Sequence, residues 1–512
     1  MAGGLGSRSR GREGVGLADG PSSAAGSGQA GKPKSLVRKR SAATVAQWVE
    51  VHRLAVAGRE AVIARDVGRR VARVWLSRSR FADVAALANA TLTLGPDADA
   101  FYRLGWAQTA TGQPQPALAS FEQALHLYRE AGHRGYEAAT LSNIGLVYNG
   151  LGDRQQALTY YQQALPIQRE VGDRAGEATT LNNIGAVYDG LGDRQQALTY
   201  YQQALPIRRE VGDRAGEATT LNNIGHVYDG LGDRQQALTY YHQALPTLRE
   251  LGDRAREAAT LTNIGNVYDG LGDRQQALTY YHQALPIQRE VGDRAGEAAT
   301  LNNIGHVYDG LGDRQQALTY YQQALPITRE VGDRAGEATT LNNIGNVYDG
   351  LGDRRQALTY YHQALPIRRE VGDRAGEAAT LNNIGHVYNG LGDRRQALTY
   401  YQQALPIRRE VGDRGGEATT LNNIGAVRFQ QGDFAGAKDT LDEVLDVFRV
   451  VGDRGSEALA RFNMAVLLTR MERVDDAVEF QRRAVALAEQ TSHPALEQMR
   501  AFLIELERTR GG

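Results

Sequence analysis

In the segment EATTLNNIGAVYDGLG, residues 177–192, Leu181, Ile184, Tyr188 and Leu191 recur at intervals of three and four. At ~100° per residue these side chains fall on one helical stripe, with Thr179, Asn182, Asn183, Ala186 and Asp189 opposite. In the segment that follows, DRQQALTYYQQALPIRREVG, Ala197, Leu198, Tyr201, Ala204 and Leu205 form the stripe of a second helix. Gly192 stops the first helix and Asp193 caps the second, with Gln196 at the capping-box position; Gly212 and Asp213 repeat the signal. Both GDR triplets thus read as punctuation. A calcium site at Asp189 and Asp193 is disfavoured, because the loop lacks the ligand spacing of a calcium hand. Pro206 lies inside the second helix. Proline has no N–H and its ring clashes with the carbonyl four residues back, so a kink or break is predicted there.

This hairpin returns almost unchanged every forty residues, with LNNIG or a close variant at Leu141, Leu181, Leu221, Leu261, Leu301, Leu341, Leu381 and Leu421. A fixed period of this size predicts a solenoid, in which each unit buries its apolar stripes against its neighbours. The proline recurs as Pro166, Pro206, Pro246, Pro286, Pro326, Pro366 and Pro406, with His126 and Asp446 in the flanking units. Gly185 and its equivalents read as packing positions. Residues 98–131 form the first recognisable unit, with Leu104, Gly105, Ala117, Phe121 and Ala124, and the last two units drift. Before them, residues 41–97 carry three apolar-periodic segments, with Trp48, Trp75 and a basic run of Arg65, Arg69, Arg70 and Arg73. They read as a terminal cap or degenerate repeat, with a nucleic-acid or membrane surface as the alternative. Ala495, Leu496, Met499, Phe502, Leu503 and Leu506 predict one more helix closing the far end. The expected domains are a disordered tail over 1–40, the cap over 41–97, a solenoid of about ten repeats over 98–490 and a capping helix over 491–512.

Composition narrows the chemistry. There is no cysteine, which excludes disulfides, thiolate metal sites and a cysteine nucleophile. No apolar run approaches the ~18 residues of a membrane span, and the N-terminus lacks a signal peptide's apolar core. A soluble, cytoplasmic protein is expected. Lysine is scarce beside arginine, as in products of GC-rich, bacterial-like genomes. Residues 1–80 hold 16 Lys+Arg against 5 Asp+Glu, and the remainder 42 against 54. A basic leader before an acidic array could steer charged partners, although a solvated tail accounts for it as well. Gly26–Lys32 matches most of a phosphate-binding loop, but Pro33 stands where the magnesium-binding hydroxyl belongs and no strand precedes it.

The positions Ile184, Gly185 and Tyr188, then Ala197, Tyr201 and Ala204, resemble the tetratricopeptide repeat motif. The resemblance covers roughly residues 98–489 in register, in a unit longer than the usual ~34 residues, as in the arrays of kinesin light chains and polarity scaffolds. Leu181 stands for the family's first tryptophan, Arg194 for a turn aromatic and Ile184 for a leucine, and Pro206 lies inside rather than after helix B. The resemblance implies an all-α, right-handed α-α superhelical solenoid of helix-turn-helix repeats, with first helices lining a groove for peptides or partner segments. In this sequence the groove positions would be Asn183, Asn223, Asn263, Asn303, Asn343 and Asn383 as one row, with Asn182, Asn222, Asn302, Asn342 and Asn382 beside it. Asp189, Asp229, Asp269, Asp309 and Asp349 would add an acidic stripe, and His226, Asn266, His306, Asn346 and His386 would occupy a further position of the face. Amides both donate to and accept from a peptide backbone, and the acidic stripe predicts some Lys or Arg in the ligand. The competing reading is that the asparagines hold neighbouring helices together.

Alternate repeats place His226, His306 and His386 about two helix spacings apart, each spacing ~8–10 Å, too far to share an ion at ~2 Å bonds. His242, His282 and His362 are expected on the solvated side of helix B, and of each Tyr-Tyr pair one is expected in the core and one at its edge. No nucleophile–base pair, metal cluster or cofactor loop emerges, so the expected protein is not an enzyme and needs no cofactor. A scaffold for a protein or peptide partner is expected, with no metal and no membrane, and with nucleic acid disfavoured. Two alternatives stay open: a sensor for a small signalling peptide, and a detached repeat region of a larger signalling NTPase.

Overall fold

The computed structural model describes residues 44–511, and among them are 24 helices and no strand. The tail expected over 1–40 and the glycine-rich stretch at 26–33 lie outside these residues. The described chain falls into two compact bodies, residues 44–272 and 273–511. Each is a series of antiparallel helix pairs in which every helix also packs on the next.

The unit at Arg174 shows why the sequence folds this way. Its first helix, Arg174–Leu191, ends at Gly192 with φ 85°, a left-handed conformation that costs glycine nothing. Asp193 then opens the second helix, Arg194–Glu210, by accepting the Gln196 N–H at 3.1 Å. At the far turn Gly212 has φ 71° and Asp213 accepts the Gly216 N–H at 2.8 Å. Turns near both ends of the described chain break this rule: Arg59, Ser79, Glu472 and Ser492 hold φ of 59°, 55°, 59° and 50°. A left-handed conformation costs an L-residue ~1–2 kcal/mol. Arg59→Gly and Glu472→Gly are each expected to raise stability by up to about 1 kcal/mol once glycine's greater chain entropy is set against that cost. Chemical denaturation of the single variants checks this.

The core is built on a glycine–tyrosine contact. Tyr201 is buried and its ring covers Gly185, so closely that a Cβ there would lie 2.7 Å from Tyr201 Cε1. The same contact joins Gly145 to Tyr161, Gly225 to Tyr241, Gly305 to Tyr321, Gly345 to Tyr361 and Gly385 to Tyr401. Of each tyrosine pair one member enters the core, and the other stacks on the first helix: Tyr200 on Tyr188 at 5.4 Å with planes 8° apart. Leu191 departs from the expected stripe. It sits in the last turn, 51% exposed, while Ala178, Thr180 and Val187 are buried because the helix is covered on several sides.

The expected break at proline does not occur. The second helices run through Pro166, Pro206, Pro246, Pro286, Pro326, Pro366 and Pro406 as single elements of 17 or 18 residues. In the unit at Arg194, Pro206 and Gln202 both lie on the exposed side, so water can satisfy the carbonyl that the proline leaves unbonded.

Charge fastens the edge between repeats. Glu177 is buried and receives Arg169 Nε from the preceding helix at 2.7 Å and Arg174 from its own. Arg174 also reaches Glu210 at 2.7 Å. Glu137, Glu297, Glu337 and Glu377 repeat the bridge between two arginines.

At the N-terminal end three helices, Val45–Ala57, Ala61–Leu76 and Phe81–Leu92, pack around Val71, Ala72, Trp75, Val84 and Leu87. Their basic run is largely spent internally: Arg65 pairs with Asp97 at 3.3 Å, Arg69 with Asp99 at 3.1 Å and Arg70 with Asp66 at 2.8 Å. The last helix, Leu496–Gly511, packs on Val474–Thr491 and buries Met499 and Leu506. No helix among the described residues is long and apolar enough to cross a membrane.

Candidate functional site

The predicted groove residues all lie on first helices, but in different environments. Asn182 and Asn183 are 7% and 3% exposed, so in that repeat both amides are internal. Asn222, Asn223, Asn263, Asn302, Asn303, Asn342, Asn343, Asn382 and Asn383 are half-buried. His226, Asn266, His306, Asn346 and His386 are exposed, and Asp189, Asp229, Asp269, Asp309 and Asp349 are half-buried at the end of the same face.

The first asparagine of the pair is engaged by the next repeat. Thr220 Oγ1 donates to Asn182 Oδ1 at 3.1 Å, Thr260 to Asn222 at 3.0 Å, Thr340 to Asn302 at 3.0 Å and Thr380 to Asn342 at 3.1 Å. Thr420 does the same to Asn382 at 3.4 Å. The second asparagine reaches back to the same oxygen: Asn223 Nδ2 donates to Asn182 at 3.4 Å and Asn423 to Asn382 at 3.1 Å. These rungs join repeat to repeat. The threonine in them was not foreseen from the sequence, although it precedes the leucine of LNNIG or its variant in all eight of these units. It likewise took the GDR arginine for punctuation and missed its bridge to two glutamates.

The outer row is linked more loosely. His226 Nε2 lies 3.6 Å from Asp189 Oδ2 and His386 Nε2 3.7 Å from Asp349 Oδ2, each across one repeat boundary. The imidazoles stay about two-thirds exposed. Asn346 accepts the Tyr361 hydroxyl at 2.7 Å and Asn383 Nδ2 at 3.0 Å. The acidic row is not a bare negative stripe. Burial pushes the Asp229 carboxyl above its usual range, against the pull of Arg234, His226 and Arg194. Asp309 has Arg314 at 4.0 Å. Within each body this face offers donors and acceptors at a constant register, one set per repeat. On the second helices His242, His282 and His362 are exposed, with His282 tilted on Tyr320 and His362 on Tyr400, each at 6.1 Å. Among the described residues no three His, Asp or Glu side chains converge as metal ligands.

A family profile described as tetratricopeptide repeat matches residues 136–210, 191–250, 216–290, 256–330, 296–370, 336–410 and 416–490. A second profile of that description matches residues 99–131. No curated protein matches the chain. The crystal structure of BtubC (BKLC) from P. vanneervenii is 25% identical, over 43% of this chain and 92% of that one, with a TM-score of 0.40. The apo form of the quorum sensor NprR from B. thuringiensis is 17% identical, over 67% of this chain and 99% of that one, with a TM-score of 0.49. The fold is shared with a Signal Transduction ATPase with Numerous Domains protein with a tetratricopeptide repeat sensor from Pyrococcus horikoshii. That protein is 16% identical over 70% of this chain, with a TM-score of 0.54, and this chain covers 54% of its length. With the profile matching well over half of the residues and the glycine–tyrosine contact present in six of the repeats it covers, the chain belongs to the tetratricopeptide repeat family.

Proposed function

We propose that the protein is a non-enzymatic scaffold that binds a protein or peptide segment along the first-helix face. The observation that carries this reading is the division of labour on that face. The inner amides are engaged by threonines between repeats, while His226, Asn346 and His386 remain exposed at one register, with carboxylates beside them. A fold that needed these positions only for packing would not require polar side chains on the outer row, where Ala186 and Ala426 occupy the same register in other units. No catalytic family matches the chain, which fits a binding role. The contact residues are then the outer row and the half-buried amides next to it, with Asn182 and Asn183 serving the repeat boundary.

The test uses one body. His306→Ala, Asn346→Ala and His386→Ala are combined, and a partner cross-linked to the full chain in cells of the source organism is purified and titrated. Each neutral hydrogen bond nets ~0.5–1.5 kcal/mol, so the triple variant should bind at least about tenfold more weakly while keeping its circular dichroism and melting profile. Unchanged affinity in a folded triple variant would move the binding surface elsewhere.

A further inference from the structure

A buried histidine sits where the three N-terminal helices meet. His52 of Val45–Ala57 is 3% exposed, and its Nε2 lies 2.9 Å from Thr91 Oγ1 of Phe81–Leu92. The Thr91 hydroxyl donates to the Leu87 carbonyl at 3.0 Å, so its oxygen is the acceptor and Nε2 carries the hydrogen. Between them runs Gly68 of Ala61–Leu76, where a Cβ would come within 3.3 Å of both His52 Cδ2 and Thr91 Oγ1. One imidazole therefore closes a three-helix junction.

Among the described residues no carboxylate compensates a charge there. Glu50, on the same helix, pairs with Arg53. On the second helix Asp66 pairs with Arg70, while Arg65 and Arg69 hold Asp97 and Asp99. On the third, Asp83 pairs with Arg80. Burial by itself pushes the His52 imidazole below its usual range. Protonation would add a second N–H and a full charge inside a packed junction, with no counter-ion among the described residues.

We propose that His52 makes the docking of the first helix acid-labile, so that acid opens the N-terminal end of the array. The folded state binds the His52 proton less readily than the undocked state. Docking is therefore intact above the ordinary imidazole range, near ~6.5, and weakens as pH falls below it. Undocking removes Val45, Trp48 and Val49 from Val71, Ala72 and Trp75, and uncovers an apolar surface beside the already exposed Val62 and Ile63.

The experiment is hydrogen exchange on the full chain between pH 7.5 and 5, corrected for intrinsic exchange, with tryptophan fluorescence in parallel. All three tryptophans, at positions 48, 75 and 106, lie in or next to this end, so the emission reports on it. One proton taken up on opening raises the opening equilibrium of residues 45–57 about tenfold per pH unit below the imidazole range, while residues 134–250 keep their protection. His52→Gln preserves a donor to Thr91 without a titrating ring and should lose that slope. The same slope in His52→Gln, or unchanged protection of residues 45–57 in the parent, would overturn the proposal. The parent provides a second reading that needs no variant. The His52 ring resonance should titrate together with the loss of protection, and a ring that charges while the helix stays docked would also overturn it.

Discussion

Gly185→Ala is expected to destabilise the protein by about 1–3 kcal/mol, whereas Gly425→Ala should be neutral or stabilise it by up to about 1 kcal/mol. Both glycines hold the same register of a first helix, and in both cases alanine would gain helix propensity. They differ in what a methyl group meets. At Gly185 it would lie 2.7 Å from Cε1 and 2.8 Å from Cδ1 of Tyr201, a rigid ring that is itself buried. At Gly425 the nearest atoms are Thr440 Cβ and Cγ2 at 3.8 Å, an ordinary contact, because Leu441 stands where the other units place the core tyrosine. Removing the obstacle tests the cause. Tyr201→Ala alone leaves a cavity worth ~3–5 kcal/mol, and combined with Gly185→Ala it should cost less than the two separately. Denaturation of the four proteins measures the coupling, and strict additivity would show that the methyl and the ring do not compete for space. Because such an array unfolds as a chain of neighbours, the loss should appear as early exchange in the repeats next to the substitution.

Acid should melt the array, through the glutamates at the edges of the repeats. Hydrogen bonding to Arg134 holds the Glu170 carboxyl below its usual range, and Arg174, Arg294, Arg334 and Arg374 do the same for Glu210, Glu330, Glu370 and Glu410. At Glu417 burial pushes the carboxyl up, but hydrogen bonds from Arg409 and Arg414 outweigh it and the group ends below its usual range. A carboxylate depressed in the folded state contributes stability that is present above its unfolded pKa and lost as pH falls through the folded one. Melting temperature should therefore hold from neutral pH down to the ordinary carboxylate range and fall steeply below it. Exposed pairs are screened by salt, so 1 M salt (as an added condition, with a Debye length of ~3 Å) should weaken the outer Arg174–Glu210 type more than the buried Glu177 bridges. Glu177→Gln leaves Arg169 and Arg174 facing a neutral group and should lower the melting temperature at pH 7. A melting temperature unchanged between pH 7 and pH 3 would show that these pairs contribute nothing to stability.

The two tests bear on what the sequence can reveal. The repeat announces itself, because a forty-residue period places each apolar and each turn residue at a fixed register, and local chemistry then sets the elements. Gly192 and Gly212 adopt the left-handed conformation, and Asp193 and Asp213 cap the helices that follow, interactions that span only a few residues. The tyrosine pairs divide into core and edge for the same reason: on a helix, adjacent residues point about 100° apart. The break expected at proline does not occur, because its penalty depends on which side of the helix it occupies. Pro206 faces water, where the unbonded carbonyl finds a partner.

The candidate face was legible only in outline. The sequence indicates that Asn182, Asn183, Ala186 and Asp189 share a side of the first helix, but helical periodicity does not say which neighbour covers that side. Packing decides that Asn182 and Asn183 turn inward while His226 and His386 stay exposed, and that Thr220 and Asn182, 38 residues apart, meet at 3.1 Å. It likewise decides that Glu177 is enclosed between arginines from two helices and that His52 rests against Thr91, 39 residues away. The sequence alone thus determined the repeat, its helices, its turns and the glycine–tyrosine register, because these follow from short-range geometry repeated at a constant period. Which polar groups are spent between repeats and which remain exposed was decided by tertiary structure, since burial and pairing depend on residues that only the stacking of one hairpin on the next brings together.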